Sequence, residues 1–183
     1  MTGKLEKTND AYAIAKIAGI YMCENYSKSY NLNYKCLMPP NMYGPGDNYN
    51  LQTSHFFSAL IKKIKIAKKK NKKFIILWGT GYAKRELMFV EDFAESLIFF
   101  MNKKIKEPFL NIGTGKSYPI HWFAKFIMKK IGVKLKLKFD KSKPDGMPKK
   151  CLDVSLAKKY GWRPQNNLDE GFEITYKDFR KNY

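Results

Sequence analysis

Tyr12-Ala13-Ile14-Ala15-Lys16 heads a helical pattern that ends at Asn31-Leu32-Asn33, and Tyr34-Lys35-Cys36-Leu37-Met38-Pro39-Pro40 follows directly. Ala11, Ile14, Ala15, Ala18, Met22 and Tyr26 recur at helical spacing, which predicts a helix over about 10–30 with that face inward. Thr8-Asn9-Asp10 supplies capping residues at its start. The run from Tyr34 to Met38 predicts a short buried strand, because the two prolines that close it cannot donate to a ladder. A helix, a tight loop and a strand make half of a βαβ unit, so the fold class is α/β.

Downstream, Asn41 to Asn48 predicts a loop at the C-terminal end of that strand, the edge where ligands sit in open α/β sheets. Ser54 is expected to cap a helix over about 55–70, with Phe56, Phe57, Leu60, Ile61 and Ile64 inward and Lys62, Lys63 and Lys65 outward. Phe74 to Leu77 and Glu86 to Val90 predict strands joined through the turn Trp78-Gly79-Thr80-Gly81, with Arg85 between them. A helix from about Asp92 to Asn102 should bury Phe93, Leu97 and Phe100. Phe109 to Ile112 predicts a strand, Pro119 to Gly132 a helix with a glycine C-cap, and Leu135 to Phe139 an alternating strand. Lys143-Pro144-Asp145-Gly146 signals a turn, and two helical patterns close the chain at about 155–160 and 168–181.

The 183 residues, 44% of them apolar, suffice for one sizeable core and exclude disorder throughout. A formal charge of +19 suggests a nucleic-acid partner, yet only three of the 35 basic side chains are arginine (Arg85, Arg163, Arg180). Base and phosphate readers lean on arginine forks, so the lysines read as solvated faces with a modest attraction for acidic substrates. Cys23, Cys36 and Cys151 show no Cys-x-x-Cys spacing and predict free thiols in a reducing compartment. Met1 to Lys7 holds no apolar signal stretch, and no apolar run reaches the ~20 residues of a membrane span, so a soluble cytoplasmic protein is expected.

Tyr12 and Lys16 lie one helical turn apart and leave the same face. A tyrosine is a poor acid near neutral pH, with an ordinary pKa of about 10, and a neighbouring cation favours its phenolate. Such a pair can exchange a proton with a sugar oxygen while a nicotinamide moves hydride at the same carbon. Random placement of the chain's tyrosines and lysines yields roughly two such spacings and the chain has one, so the spacing alone decides nothing. Gly79-Thr80-Gly81 and Gly113-Thr114-Gly115 each lack the third glycine of a dinucleotide fingerprint and read as turns. No His/Cys cluster has metal-ligand spacing, and His55 by itself reads as a surface histidine.

In order, Tyr12-x-x-x-Lys16, Pro39-Pro40-Asn41-Met42-Tyr43-Gly44-Pro45, Trp78-Gly79-Thr80-Gly81 with Arg85, and Asn111-Ile112-Gly113-Thr114-Gly115 before a helix resemble the C-terminal part of the extended short-chain dehydrogenase/reductases that modify nucleotide sugars. Gly44 to Asn48 running on to Ser54-His55, and Lys143 to Lys150 running on to Asp153 and Gly161-Trp162-Arg163-Pro164, are most similar to the GDP-L-fucose synthases within that superfamily. The resemblance covers the chain from about Thr8 to its end.

That resemblance implies a Rossmann-type α/β fold with a smaller substrate-binding domain. Residues 1–50 would be a remnant of the Rossmann domain, and 51–183 mainly the substrate domain, with some segments returning to the Rossmann sheet. It implies NADP(H)-dependent conversion of GDP-4-keto-6-deoxy-D-mannose to GDP-L-fucose, by proton exchange with inversion at C3 and C5 and then reduction at C4. By the same resemblance Tyr12 donates the proton in reduction, Lys16 assists it and holds the nicotinamide ribose, and His55 is the acid of epimerisation and touches the cofactor. Pro39, Pro40, Asn41 and Met42 line the nicotinamide, while Lys63, Trp78, Arg85 and Asp145 bind substrate; no metal is implied.

The family's dinucleotide-binding half, with its glycine fingerprint, a serine and a cysteine partner for the histidine, has no counterpart in these residues, and none of the three cysteines matches that position. The expectations are therefore an incomplete chain, inactive alone, with apolar surface open to a complementing N-terminal half. The family's homodimer is built on a four-helix bundle that includes the Tyr-Lys helix. A non-catalytic GDP-sugar-binding module and another NAD(P)-dependent nucleotide-sugar epimerase or dehydratase are the alternatives, and a nucleic-acid binder would betray itself by a steep salt dependence.

Overall fold

The computed structural model describes residues 3–183, except for the Thr8 side chain. A 3₁₀ turn, Lys7–Asn9, leads into helix α1, Asp10–Tyr30, which ends with Asn31 in the left-handed region at φ 51°. Asn9 holds the N-cap position but makes no side-chain capping bond; Asp10 instead accepts from the Ala11 N–H. The Thr8 part of the expected cap lies outside the described residues.

Strand β1, Cys36–Met38, runs to Pro39-Pro40, and the chain re-enters a sheet at once as β2, Asn41–Tyr43, where a loop was expected. The prolines stop one ladder without ending the extended backbone, so the strand changes partners. Helix α2 is Phe56–Lys69, β3 Phe74–Trp78, β4 Lys84–Phe89 and helix α3 Val90–Met101. Then come β5 Phe109–Asn111, β6 Ser117–Pro119 and helix α4 Ile120–Ile131. Strands β7, Lys136–Asp140, and β8, Lys149–Lys150, precede helices α5, Ser155–Lys159, and α6, Leu168–Asn182. Arg85 therefore sits inside a strand rather than between two.

Three small sheets result. Strand β1 pairs in parallel with β5, and β3 in parallel with β7, Trp78 standing opposite Asp140. In the third, β4 takes β2 in parallel along its second half, and β6 (antiparallel) and β8 (parallel) along its first. The main core lies where α2, α4 and α6 meet the sheets, around Phe57, Ile61, Ile64, Phe123, Ile127 and Phe172. A second core of Met88, Phe100, Leu110, Ile112, Ala157 and Trp162 joins α3, β5 and α5. Helix α6 carries a full capping box, Asn167 with Glu170.

Three packing expectations change. The α1 residues expected inward, Ala11, Ile14, Ala15, Ala18, Met22 and Tyr26, are exposed, and Ile20 with half-buried Ile17 and Cys23 faces the rest of the chain. This helix carries apolar side chains on all sides, so periodicity cannot choose its inner face. Leu97 is exposed for a related reason, since α3 buries only the stripe through Ser96 and Phe100. Ser54 makes no cap; His55 holds the N-cap position of α2 and Lys63 on that helix is half-buried. All three cysteines are free, and burial together with the neighbouring Cys23 pushes the Cys36 thiol up to about 11. Among the described residues no helix is long and apolar enough to cross a membrane.

Candidate functional site

Strand alternation builds the first part of the site. In β3, Ile75 and Leu77 point into the core, so Trp78 stands on the outer face, 60% exposed, at the C-terminal end of the β3–β7 pair. Lys63 reaches over it from α2, its ammonium 5.7 Å from the centre of the indole. Burial holds the Lys63 ammonium below its ordinary value.

The backbone then turns through Gly79 and Gly81, at φ 68° and 76°. A side chain at Gly79 would fall on the Asp145 carboxylate. That carboxylate accepts the Thr80 N–H at 2.8 Å and the Thr80 hydroxyl at 2.7 Å, and these two bonds, hydroxyl first, hold Asp145 below the usual carboxylate range. Arg85, on β4, donates to the backbone carbonyls of Lys84 (2.8 Å), Met147 (2.7 Å) and Asp145 (3.2 Å). Burial lowers its guanidinium value, and nearby Asp145 partly offsets the shift.

Residues 145–152 thus form a strap clamped to β4 at several points. Besides the Arg85 bonds, the Lys84 N–H donates to the Pro148 carbonyl at 2.8 Å, and β8 pairs with Lys84 and Arg85. The Leu152 N–H donates to Glu86 at 2.7 Å. Glu86 is 1% exposed, and its other oxygen accepts the N–H groups of Thr114 (2.7 Å) and Gly115 (2.8 Å). Lys63, Trp78, Arg85 and Asp145, scattered over more than 80 positions of sequence, are brought together at one place.

The proton-transfer candidates lie on other elements. Lys16 places its ammonium 5.4 Å over the Tyr12 ring on the solvent face of α1, where Tyr12 is 60% exposed. Pro39 and Pro40 are half-buried between β1 and β2, and Asn41 and Met42 open the second of these strands. The Ile112 N–H donates to the Met38 carbonyl at 2.9 Å, which ties this crossing to β5. His55 is exposed at the start of α2. The other histidine, His121, spends Nδ1 on the Gly81 carbonyl at 3.0 Å.

Two residues of this region escaped sequence reasoning. Lys143 lies with its ammonium 5.8 Å from the Trp78 ring centre; the turn motif that contains it was the available signal. Glu86 had no local signal, since its partners are 28 to 66 positions away.

The profile of the NAD dependent epimerase/dehydratase family matches residues 1–113. The chain belongs to this family. Members named GDP-L-fucose synthase are similar along its whole length. The probable GDP-L-fucose synthase 1 of Oryza sativa subsp. japonica is 40% identical over 182 residues, covering 100% of this chain and 56% of the relative. The GDP-L-fucose synthase of Escherichia coli K12 is 39% identical over 191 residues, covering 100% and 60%. Among solved epimerase/dehydratase-like structures, a GDP-mannoheptose C4 reductase from Campylobacter jejuni with NADP bound superposes with a TM-score of 0.85 at 28% identity, over 98% of this chain and 60% of that one. The chain therefore spans between half and two thirds of the length of these relatives.

Proposed function

We propose that this chain carries the sugar-nucleotide-binding and proton-transfer part of an NADP(H)-dependent GDP-L-fucose synthase, converting GDP-4-keto-6-deoxy-D-mannose to GDP-L-fucose. The observation that carries this reading is the convergence of Lys63, Trp78, Arg85 and Asp145 at one exposed site. An aromatic face, two cations and a carboxylate are the groups that a nucleotide sugar needs. Similarity to enzymes named for this reaction, extending over the whole chain, supports this choice of substrate.

The residues present fit the nicotinamide end of NADP(H): Lys16, in no ion pair among the described residues, offers an ammonium beside the Tyr12 ring, and Pro39 to Met42 offer extended backbone at the end of β1. When bound, NADPH supplies the hydride for C4. Tyr12 gives its proton to the C4 oxygen, and Lys16 eases that transfer. His55, exposed and unencumbered by a capping bond, returns protons to C3 and C5 on the face opposite to their removal, the base that takes them being supplied by the dinucleotide-binding partner segment.

The exposed face of α1 (Tyr12, Ile14, Tyr21, Met22, Tyr26, Tyr30) is a surface for a dinucleotide-binding partner segment and for a second subunit. Residues 1–50 act with that segment, and 51–183 mainly form the substrate domain. The chain by itself binds NADPH weakly and does not turn over. The test is NADPH oxidation with GDP-4-keto-6-deoxy-D-mannose, run with the chain alone and with the chain fused behind the N-terminal segment of the Escherichia coli relative that it does not match. The reading expects turnover from the fusion alone; an inactive, folded fusion overturns it.

A further inference from the structure

Lys143 follows β7 in the short span between two anchors. Its own N–H donates to the Asp140 carbonyl at 3.2 Å, and Asp145, two positions on, is pinned to Thr80 by both carboxylate oxygens. Between these anchors the Lys143 ammonium lies 5.8 Å from the centre of the Trp78 ring, and that of Lys63 lies 5.7 Å from the same centre.

Two ammonium groups thus attend one exposed indole, one from a core-packed helix and one from the short anchored span just before the strap. Neither has a carboxylate within ion-pair distance among the described residues, where the pairs are Lys28 with Glu24 and Lys130 with Asp169 and Glu173. Two acids of this region accept hydrogen bonds from their own loops, Asp145 from Thr80 and Asp140 from the hydroxyl and N–H of Ser142 at 2.6 and 3.1 Å, and Asp140 meets the Lys143 charge only beyond ion-pair distance. The result is two ammonium groups, neither in an ion pair among the described residues, around one aromatic face. Each ammonium is a compact charge with three donors on a flexible stem, so it can leave the ring to meet a phosphate oxygen.

We propose that Lys143 is a further substrate-binding residue, forming with Lys63 a two-cation seat around Trp78 for the diphosphate of a nucleotide sugar. The assignment rests on the reading of the site as a sugar-nucleotide site, and adds to it a residue outside the set that the sequence picked out. Arg85 is held in direction by the backbone carbonyls of Lys84, Met147 and Asp145, so Lys143 adds beside it a second mobile cation.

Calorimetric titration of the chain with GDP, UDP and guanosine tests this, using Lys143→Met, Lys143→Arg and, as a control on the same exposed turn, Lys141→Met. Loss of one charge-assisted contact predicts roughly tenfold weaker GDP binding for Lys143→Met. Lys143→Arg should recover most of the affinity, Lys141→Met should change it less than about twofold, and any guanosine affinity should stay level. Equal GDP affinity for Lys143→Met and Lys141→Met overturns the seat while leaving the GDP reading in place. A guanosine affinity that falls in step with GDP also overturns it, because the effect would then come through the fold. UDP bound as tightly as GDP, with the same dependence on Lys143, upholds the seat and refutes the GDP reading; no diphosphate binding by the wild-type chain overturns both.

Discussion

Replacing Glu86 by glutamine probes the clamp that holds the site together. One carboxylate oxygen accepts two backbone N–H groups, from Thr114 and Gly115, and the Thr114 hydroxyl at 3.2 Å; the other accepts the Leu152 N–H. A glutamine has one acceptor oxygen, so whichever way the amide turns, its NH₂ faces a backbone donor. The change removes at least one charge-assisted bond and strands a buried N–H, for a loss of about 3 kcal/mol. At about 2–4 °C per kcal/mol for a domain of this size, the unfolding midpoint should drop by about 6–12 °C. Scanning calorimetry gives the midpoint, and amide hydrogen exchange at Leu152 locates the damage, with protection lost there before the main core opens. A drop below about 2 °C with the Leu152 amide still protected would refute the clamp.

Gly79→Ala should weaken the same place from the other side, since the backbone is left-handed there and the new methyl group would displace Asp145; about 1–2 kcal/mol of stability is lost, read from urea midpoints. Because Thr80 depresses the Asp145 carboxyl in the folded state, its contribution is fully present above the ordinary value of 3.8 and fades as pH falls below it. The stability gap between wild type and Asp145→Asn should therefore stay level from neutral pH down to about 4 and close on further acidification, as thermal midpoints against pH will show. Tyr12→Phe should shift stability by less than about 0.5 kcal/mol, since the ring is exposed. In the active fusion it should slow C4 reduction by about 10²–10⁴-fold while solvent exchange at C3 and C5 continues, which product analysis by NMR resolves.

Helices α2 and α4 were legible because one face of each is apolar and the other carries lysines, and strand β3 because its five apolar residues run straight into a glycine turn. Their register placed Trp78 and Lys63 at the edge of the core, and the ordered motifs singled out Arg85 and Asp145, which the fold sets beside one another near that edge. Helix α1 was found but its inner face was not, since Ile14, Ile17, Ile20, Tyr21 and Met22 surround its axis. The three residues of β2 fall below the length at which alternation can be seen, and only pairing with β4 makes them a strand. Glu86 owes its place to partners 28 to 66 positions away, which no local pattern carries, and Lys143 lies in a legible turn motif whose nearness to Trp78 only the fold reveals.

If the chain serves a GDP-sugar epimerase-reductase, product analysis in D₂O will reveal it. The chain, fused behind the N-terminal segment of the Escherichia coli relative, is given GDP-4-keto-6-deoxy-D-mannose and NADPH, and deuterium is located by NMR. The expected product is GDP-L-fucose with solvent deuterium at both C3 and C5. A product reduced at C4 with no deuterium at either carbon would contradict it, and would make the chain part of a simple C4 reductase.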